Sequence, residues 1–200
     1  DEVGLVLAAR RDLVESGLAP TPVRTLAAEL QQATFRCEGA ADMLYYADPD
    51  SGPEFAPSGC AVLSGGDAGM ALDVLGFTAE AQAVLERFRK TVAQTGARTL
   101  LTSSPAAWHW LRPRLPDLSV RHTAEVLPGR PGTGELFYLE SDFLHGDDAP
   151  APSPAERLAS LGYTVRPFGT NREESYTAGE GAVVFDRLHP ALAERMCCRI

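Results

Sequence analysis

Residues 78–111 have the sequence TAEAQAVLERFRKTVAQTGARTLLTSSPAAWHWL, which contains a helix, a strand and a second helix in succession. Apolar side chains recur at steps of three and four residues in its first part, so we expect an amphipathic helix capped by Thr78. The glycine that follows is predicted to end that helix. Residues 98–101 then predict a strand, and Ser104 is a candidate N-cap for a short helix over residues 105–111 with Pro105 at its first position.

The alternation of helices and strands continues on both sides of this stretch. Two helices are expected within residues 1–32, where Thr21 is a candidate N-cap ahead of Pro22, and residues 48–59 are predicted to form a loop. Further strands are predicted at 43–46, 118–120, 136–139, 163–165 and 182–185, and further helices at 124–127, 154–161 and 190–199. Short apolar strands between helices predict an α/β fold with a largely parallel sheet.

Composition excludes several classes of function. The chain of 200 residues carries a formal net charge of -9, and its basic residues are scattered, which argues against a nucleic-acid partner. No apolar run is long enough for a membrane span. No basic segment precedes an apolar one at the start, so no signal peptide is predicted. We therefore expect a cytoplasmic protein.

The four cysteines have no C-x-x-C spacing, which argues against both a zinc site and a redox dithiol. They are expected to be buried free thiols of a cytoplasmic protein. They are Cys37, Cys60, Cys197 and Cys198.

Several strings of the sequence resemble cluster-binding motifs whose cysteines have been replaced. With cysteine at positions 104 and 107, residues 102–107 would be T-S-C-P-x-C, and with cysteine at 177 and 178, residues 172–181 would be R-E-x-S-x-C-C-G-x-G. Both resemble the cysteine-rich CCG domain of heterodisulfide-reductase-type iron–sulfur oxidoreductases. Residues 64–69 (SGGDAG) are similar to the family's C-C-G-D-P-x string, and residues 138–145 (YLESDFLH) are similar to Y-H-D-P-C-x-L-G.

The resemblance implies a set of former cluster-ligand positions, none of which holds a cysteine in this chain: Ser64, Gly65, Ser104, Ala107, Asp142, Thr177 and Ala178. Iron–sulfur clusters are held by thiolates, which are soft and ionise readily beside a metal. A serine hydroxyl is hard and far less acidic, and alanine offers no donor atom. We therefore expect no iron–sulfur cluster and no other cofactor at this place.

The resemblance also implies an organisation and a function. Residues 1–40 would be an N-terminal helical linker segment, residues 41–146 a first CCG-like half, and residues 147–200 a second, truncated half. The expected function is that of a degenerate CCG domain that serves as a structural or docking module rather than an enzyme. Its partners would be iron–sulfur or flavin subunits of an electron-transfer oxidoreductase complex. As an alternative, the chain is a fragment of a larger iron–sulfur oxidoreductase whose clusters lie in flanking domains.

A second alternative is a metal-binding protein or enzyme that reuses the same crevice between loops. Asp142 and His145 stand three residues apart, a spacing that suits one helical turn, and His109 with His122 could complete a zinc site. Surface or hydrogen-bonding roles are the simpler account of these histidines.

The sequence contains two other candidate sites, one catalytic and one for a phosphate or flavin. Ser103 and Ser104 ahead of His109 could provide a nucleophile and a base, but the G-x-S-x-G frame is absent and helix capping explains Ser104 better. Residues 64–69 could form a phosphate or flavin loop, yet they match neither glycine-rich fingerprint, so a flexible turn is favoured. One of Trp108 and Trp110 could fill the space that a cluster would occupy, and the alternative is that both are ordinary core or surface aromatics of a short helix.

Overall fold

The structure is a computed structural model that describes residues 2–126, 128–144, 152–167 and 184–198. The helices of this part are α1 (Glu2–Glu15), α2 (Thr21–Leu30), α3 (Met70–Val74), α4 (Thr78–Thr95), α5 (Pro105–Leu111), α6 (Thr123–Val126), α7 (Pro154–Ser160), α8 (Phe185–Leu188) and α9 (Pro190–Cys197). The strands are β1 (Arg36–Glu38), β2 (Met43–Ala47), β3 (Ala61–Ser64), β4 (Thr99–Thr102), β5 (Ser119–His122), β6 (Glu135–Tyr138) and β7 (Thr164–Pro167). Short 3-10 turns occur at Pro53–Phe55, Arg112–Arg114 and Asp142–Leu144.

The main sheet has five strands in the order β1-β3-β2-β4-β5. Strands β2 to β5 run parallel, and only β1, at one edge, is antiparallel to its neighbour. The predicted α/β fold with a largely parallel sheet is therefore confirmed. The two N-terminal helices precede this sheet in the chain, as expected. In the central strand, Tyr45 lies opposite Val62 of β3 and Leu101 of β4. Since the four strands are parallel, the loops that follow them all emerge at one edge of the sheet.

Both faces of the central strand β2 are buried, as expected for a parallel sheet covered on two sides. Leu44 and Tyr46 point to one face, where they pack against α4 and α5. Tyr45 and Ala47 point to the other face, where the loop after β2 and α6 cover them. This alternation fixes the register of β2, because a shift by one residue would exchange the two sets of side chains.

A second, smaller sheet pairs β6 with β7 in parallel, with Leu136 opposite Val165. Strand β6 lies within residues 41–146 and β7 within residues 147–200, so the pair connects these two parts of the chain. One face of this sheet is open: the Phe137 side chain is 71% exposed.

Some elements were not predicted, and others were placed wrongly. Strands β1 and β3 and helix α3 are only three to five residues long and were not predicted. Helices α2 and α4 begin at Thr21 and Thr78, so these residues are not caps; Pro20 and Phe77 hold the cap positions without a side-chain hydrogen bond. The strand predicted at 182–185 is wrong at its last residue, because Phe185 begins α8; residues 182 and 183 lie outside the described residues.

The expectation of buried thiols is also corrected. Cys37 and Cys60 are free and half-buried, and Cys198 is free and exposed. The side chain of Cys197 lies outside the described part. In the described residues, no helix is both long enough and apolar enough to cross a membrane.

Candidate functional site

The loop after β4 holds Ser104 in the role of a helix cap. Its hydroxyl oxygen accepts a hydrogen bond from the Ala107 N–H at 3.2 Å, which confirms the predicted N-cap of α5. The Ser104 N–H in turn donates to the Thr102 hydroxyl at 3.1 Å. Ala107 is 7% exposed and packs in the core. The two positions of this string where the resemblance places ligands are therefore used for capping and packing.

The loop after β3 begins at Gly65, whose backbone has a φ of +129°. A Cβ atom at this position would collide with the backbone carbonyl oxygen of Thr34. Ser64, the residue before it, is the last residue of β3 and is paired with Ala47 and Arg36. A cysteine at position 65 is thus incompatible with the present backbone.

The structure brings three of the four motif strings together. The Trp110 indole N–H of α5 donates to the Ala68 carbonyl oxygen at 3.1 Å, which joins α5 to the loop after β3. The 3-10 turn Asp142–Leu144 packs on α5, where the ring centroids of Phe143 and His109 lie 5.5 Å apart. Thr177 and Ala178, the fourth string, lie outside the described residues.

The space between these strings is filled by apolar side chains of one buried cluster. The residues that fill it are Ala68, Met70, Ala107, Trp108, Trp110 and Leu144. Trp110 is 5% exposed and its only polar atom is hydrogen-bonded. Such an interior has the properties of a packed core rather than of a ligand cage, since these side chains are buried and apolar.

Three carboxylates lie near the Tyr46 hydroxyl at the same edge of the sheet, those of Asp48, Asp50 and Asp67. The Asp67 carboxylate accepts hydrogen bonds from the Gly69 N–H at 2.8 Å and the Ala71 N–H at 3.1 Å. Burial nevertheless dominates and raises the pKa of Asp67 to about 6, with a further contribution from the charges of Asp48 and Asp50.

Tyr46 takes part in the same group of side chains. Its hydroxyl donates to the Gly66 carbonyl oxygen at 2.6 Å. Burial, with the charges of Asp67 and Asp48, raises the pKa of Tyr46 well above its ordinary value, so the phenol stays protonated. Burial, followed by the charges of Asp48 and Asp186, also raises the pKa of Asp50. Sequence reasoning missed this group, although Asp48 and Asp67 each stand just after an apolar strand.

The two serines of the loop after β4 are not arranged as nucleophile and base. The Ser103 hydroxyl is hydrogen-bonded to the Tyr45 hydroxyl at 2.6 Å, and the Ser104 hydroxyl is used in capping. His109 is exposed on α5, with its ring against Phe143.

His122, the further metal-ligand candidate, has both ring nitrogens in use. Its Nδ1 accepts the Ala124 N–H at 3.2 Å, which leaves Nε2 as the protonated nitrogen, and Nε2 lies 3.2 Å from the Ser103 carbonyl oxygen. Burial lowers the pKa of His122, which favours this neutral form. Within the described ranges, no group of three or more His, Cys, Asp or Glu side chains is arranged to hold a metal ion. His145 and the side chain of Asp142 lie outside those ranges.

Comparisons with models of protein families, with curated proteins and with solved structures find no match to this chain.

Proposed function

We propose that the chain is a degenerate domain of the CCG type that has lost its iron–sulfur cluster and works as a structural or docking module. Its partners would be iron–sulfur or flavin subunits of an electron-transfer oxidoreductase complex. The proposal includes no cofactor and no catalytic residue of its own.

The observation that carries the proposal is the state of the former ligand positions. Ala107 is buried in the core, Ser104 caps a helix, and position 65 accepts no side chain without a collision with Thr34. Trp110 and its neighbours close the space between the three strings. Residues that serve packing and capping maintain a scaffold, whereas soft, ionised ligands would maintain a cluster.

The docking role can be tested by co-expression with an iron–sulfur or flavin subunit encoded beside this chain. Size-exclusion chromatography with light scattering should show a complex of fixed stoichiometry. Iron and acid-labile sulfide in that complex should equal the content of the partner subunit purified alone. A chain that migrates alone at micromolar concentrations, or a complex with iron beyond the partner's own, would contradict the proposal.

A further inference from the structure

A cleft of about 610 Å³ opens between α1 and the elements that carry the former ligand positions. Its walls come from Val6 and Leu7 of α1, Met70 of α3, Trp110 of α5 and Phe143 of the 3-10 turn after β6. The volume falls within the range of small-molecule sites in proteins, which is roughly 300–1,000 Å³. Aromatic, sulfur and branched aliphatic groups on several sides suit a flat apolar body.

Arg114 brings a positive charge to this apolar cleft. Its guanidinium carbon lies 3.3 Å from the centroid of the Trp110 ring, and one of its nitrogens donates to the Trp110 carbonyl oxygen at 3.0 Å. Within the described part of the chain, no carboxylate lies within 4.0 Å of this guanidinium. Among the described residues, the remaining N–H groups of Arg114 therefore have no anionic acceptor.

Among the described residues around the cleft, guanidinium groups outnumber carboxylates by one. Arg10 and Arg114 line it together with the carboxylates of Glu2 and Asp73. The Asp73 carboxylate also lies 3.6 Å from the Arg11 guanidinium. The group therefore has three guanidinium groups (Arg10, Arg11 and Arg114) and two carboxylates (Glu2 and Asp73). Two further charges act on Arg114: the Asp73 carboxylate, which Arg114 shares with Arg11, and the Arg89 guanidinium, which is paired with Glu86. In a chain of net charge -9, this local excess favours an anion.

We propose that the cleft binds an organic acid with a flat apolar body, and that Arg114 pairs with its acidic group. Trp110 holds the guanidinium plane in place, so the fork of donors is ordered before the acid arrives. The apolar body of the ligand would lie against Met70 and Phe143. His109, at the rim, can donate a further hydrogen bond to the acid through a ring N–H. This binding activity does not depend on the docking role.

Naphthoate and its uncharged analogue naphthalenemethanol are a matched pair of probes for this site. Calorimetric titration of the full chain should show one saturable naphthoate site. Arg114→Gln should weaken naphthoate binding about tenfold and leave naphthalenemethanol binding unchanged, because only the acid uses the guanidinium. Arg36→Gln, at an exposed position on β1, should change neither affinity.

A second variant keeps the test independent of any effect of Arg114 on folding. Val6 is 48% exposed on α1 and lines the cleft, so Val6→Trp should fold normally and weaken both probes by occupying their space. Heteronuclear NMR should show the indole N–H signal of Trp110 moving on titration. No saturable naphthoate binding, or naphthoate binding that Arg114→Gln and Val6→Trp leave unaltered, would overturn the proposal.

Discussion

At the scale of single residues, Gly65 has a backbone conformation that leaves no room for a side chain. Its φ of +129° lies where L-residues are strained, and a Cβ atom at this position would collide with the Thr34 carbonyl oxygen. Gly134 has a similar φ of +123°, but a Cβ there would meet open space. Comparing the same substitution at the two glycines therefore distinguishes the energetic cost of backbone strain from that of a steric collision.

Gly134→Ala should lower the free energy of unfolding by about 1–3 kcal/mol through backbone strain alone. Gly65→Ala carries the same strain and adds a collision with backbone atoms, which should cost about 2 kcal/mol more. Urea denaturation of both variants measures the difference directly. Equal losses in the two variants would show that the loop after β3 yields easily, and that position 65 could once more accept a side chain.

Asp67 is a residue whose ionisation opposes folding. Its pKa is near 3.8 in an unfolded chain and is raised to about 6 in the folded state. The folded state therefore holds this proton more tightly, and the contribution of Asp67 to stability is fully present only below about pH 4. Stability falls as the pH rises from about 4 to about 6, because the buried carboxylate must then ionise.

Asp67→Asn should remove this dependence. The asparagine carbonyl oxygen can still accept the Gly69 and Ala71 N–H groups, and it cannot ionise. We expect the free energy of unfolding near pH 8 to rise by about 2 kcal/mol, with little change near pH 4. Denaturation at the two pH values measures this, with Asp117→Asn at an exposed position as the control. A variant that loses stability equally at both pH values would mean that the ionised carboxylate is needed.

At the scale of elements, α5 is a short helix that depends on its cap and its packing. It has seven residues, too few to be stable by propensity alone, so the Ser104 cap and the buried tryptophans hold it. Ser104→Ala should cost about 1 kcal/mol, whereas Ser104→Thr, which preserves a hydroxyl acceptor for the Ala107 N–H, should cost much less. Thermal unfolding of the two variants checks this. Equal destabilisation by both would show that the hydroxyl has a role other than capping.

The elements with strong local signals were predicted from the sequence. The helix over residues 105–111 was placed correctly because a capping serine, a proline and apolar residues all agree there. Strand β3 was missed because its four residues lie between a Pro/Gly-rich loop and a glycine-rich turn, and because its pairing with β1 and β2 and its packing in the core stabilise it. Such pairing is non-local and leaves little trace in a short segment.

At the scale of the whole molecule, helix α1 and the loops at the carboxyl edge of the sheet enclose the cleft, which no single stretch of the sequence predicts. The parallel order of the strands could be predicted from the alternation of elements. The contact between the Trp110 indole and the Ala68 carbonyl could not, because it joins residues 42 positions apart in the chain. The stacking of Arg114 on Trp110 spans only four residues, but it depends on side-chain conformations that sequence spacing alone does not fix. The raised pKa of Asp67 could not be predicted either, because it depends on burial in the folded structure.

The central claim is that a packed core stands where the resemblance places a cluster. The most direct measurement is the iron and acid-labile sulfide content of the full chain, purified without oxygen and then incubated with ferrous iron and sulfide under reducing conditions. We predict no stoichiometric iron, no broad visible absorption and no paramagnetic cluster signal, because the former ligand positions offer no thiolate. A brown protein with iron and sulfide in fixed ratio to the chain would contradict the account.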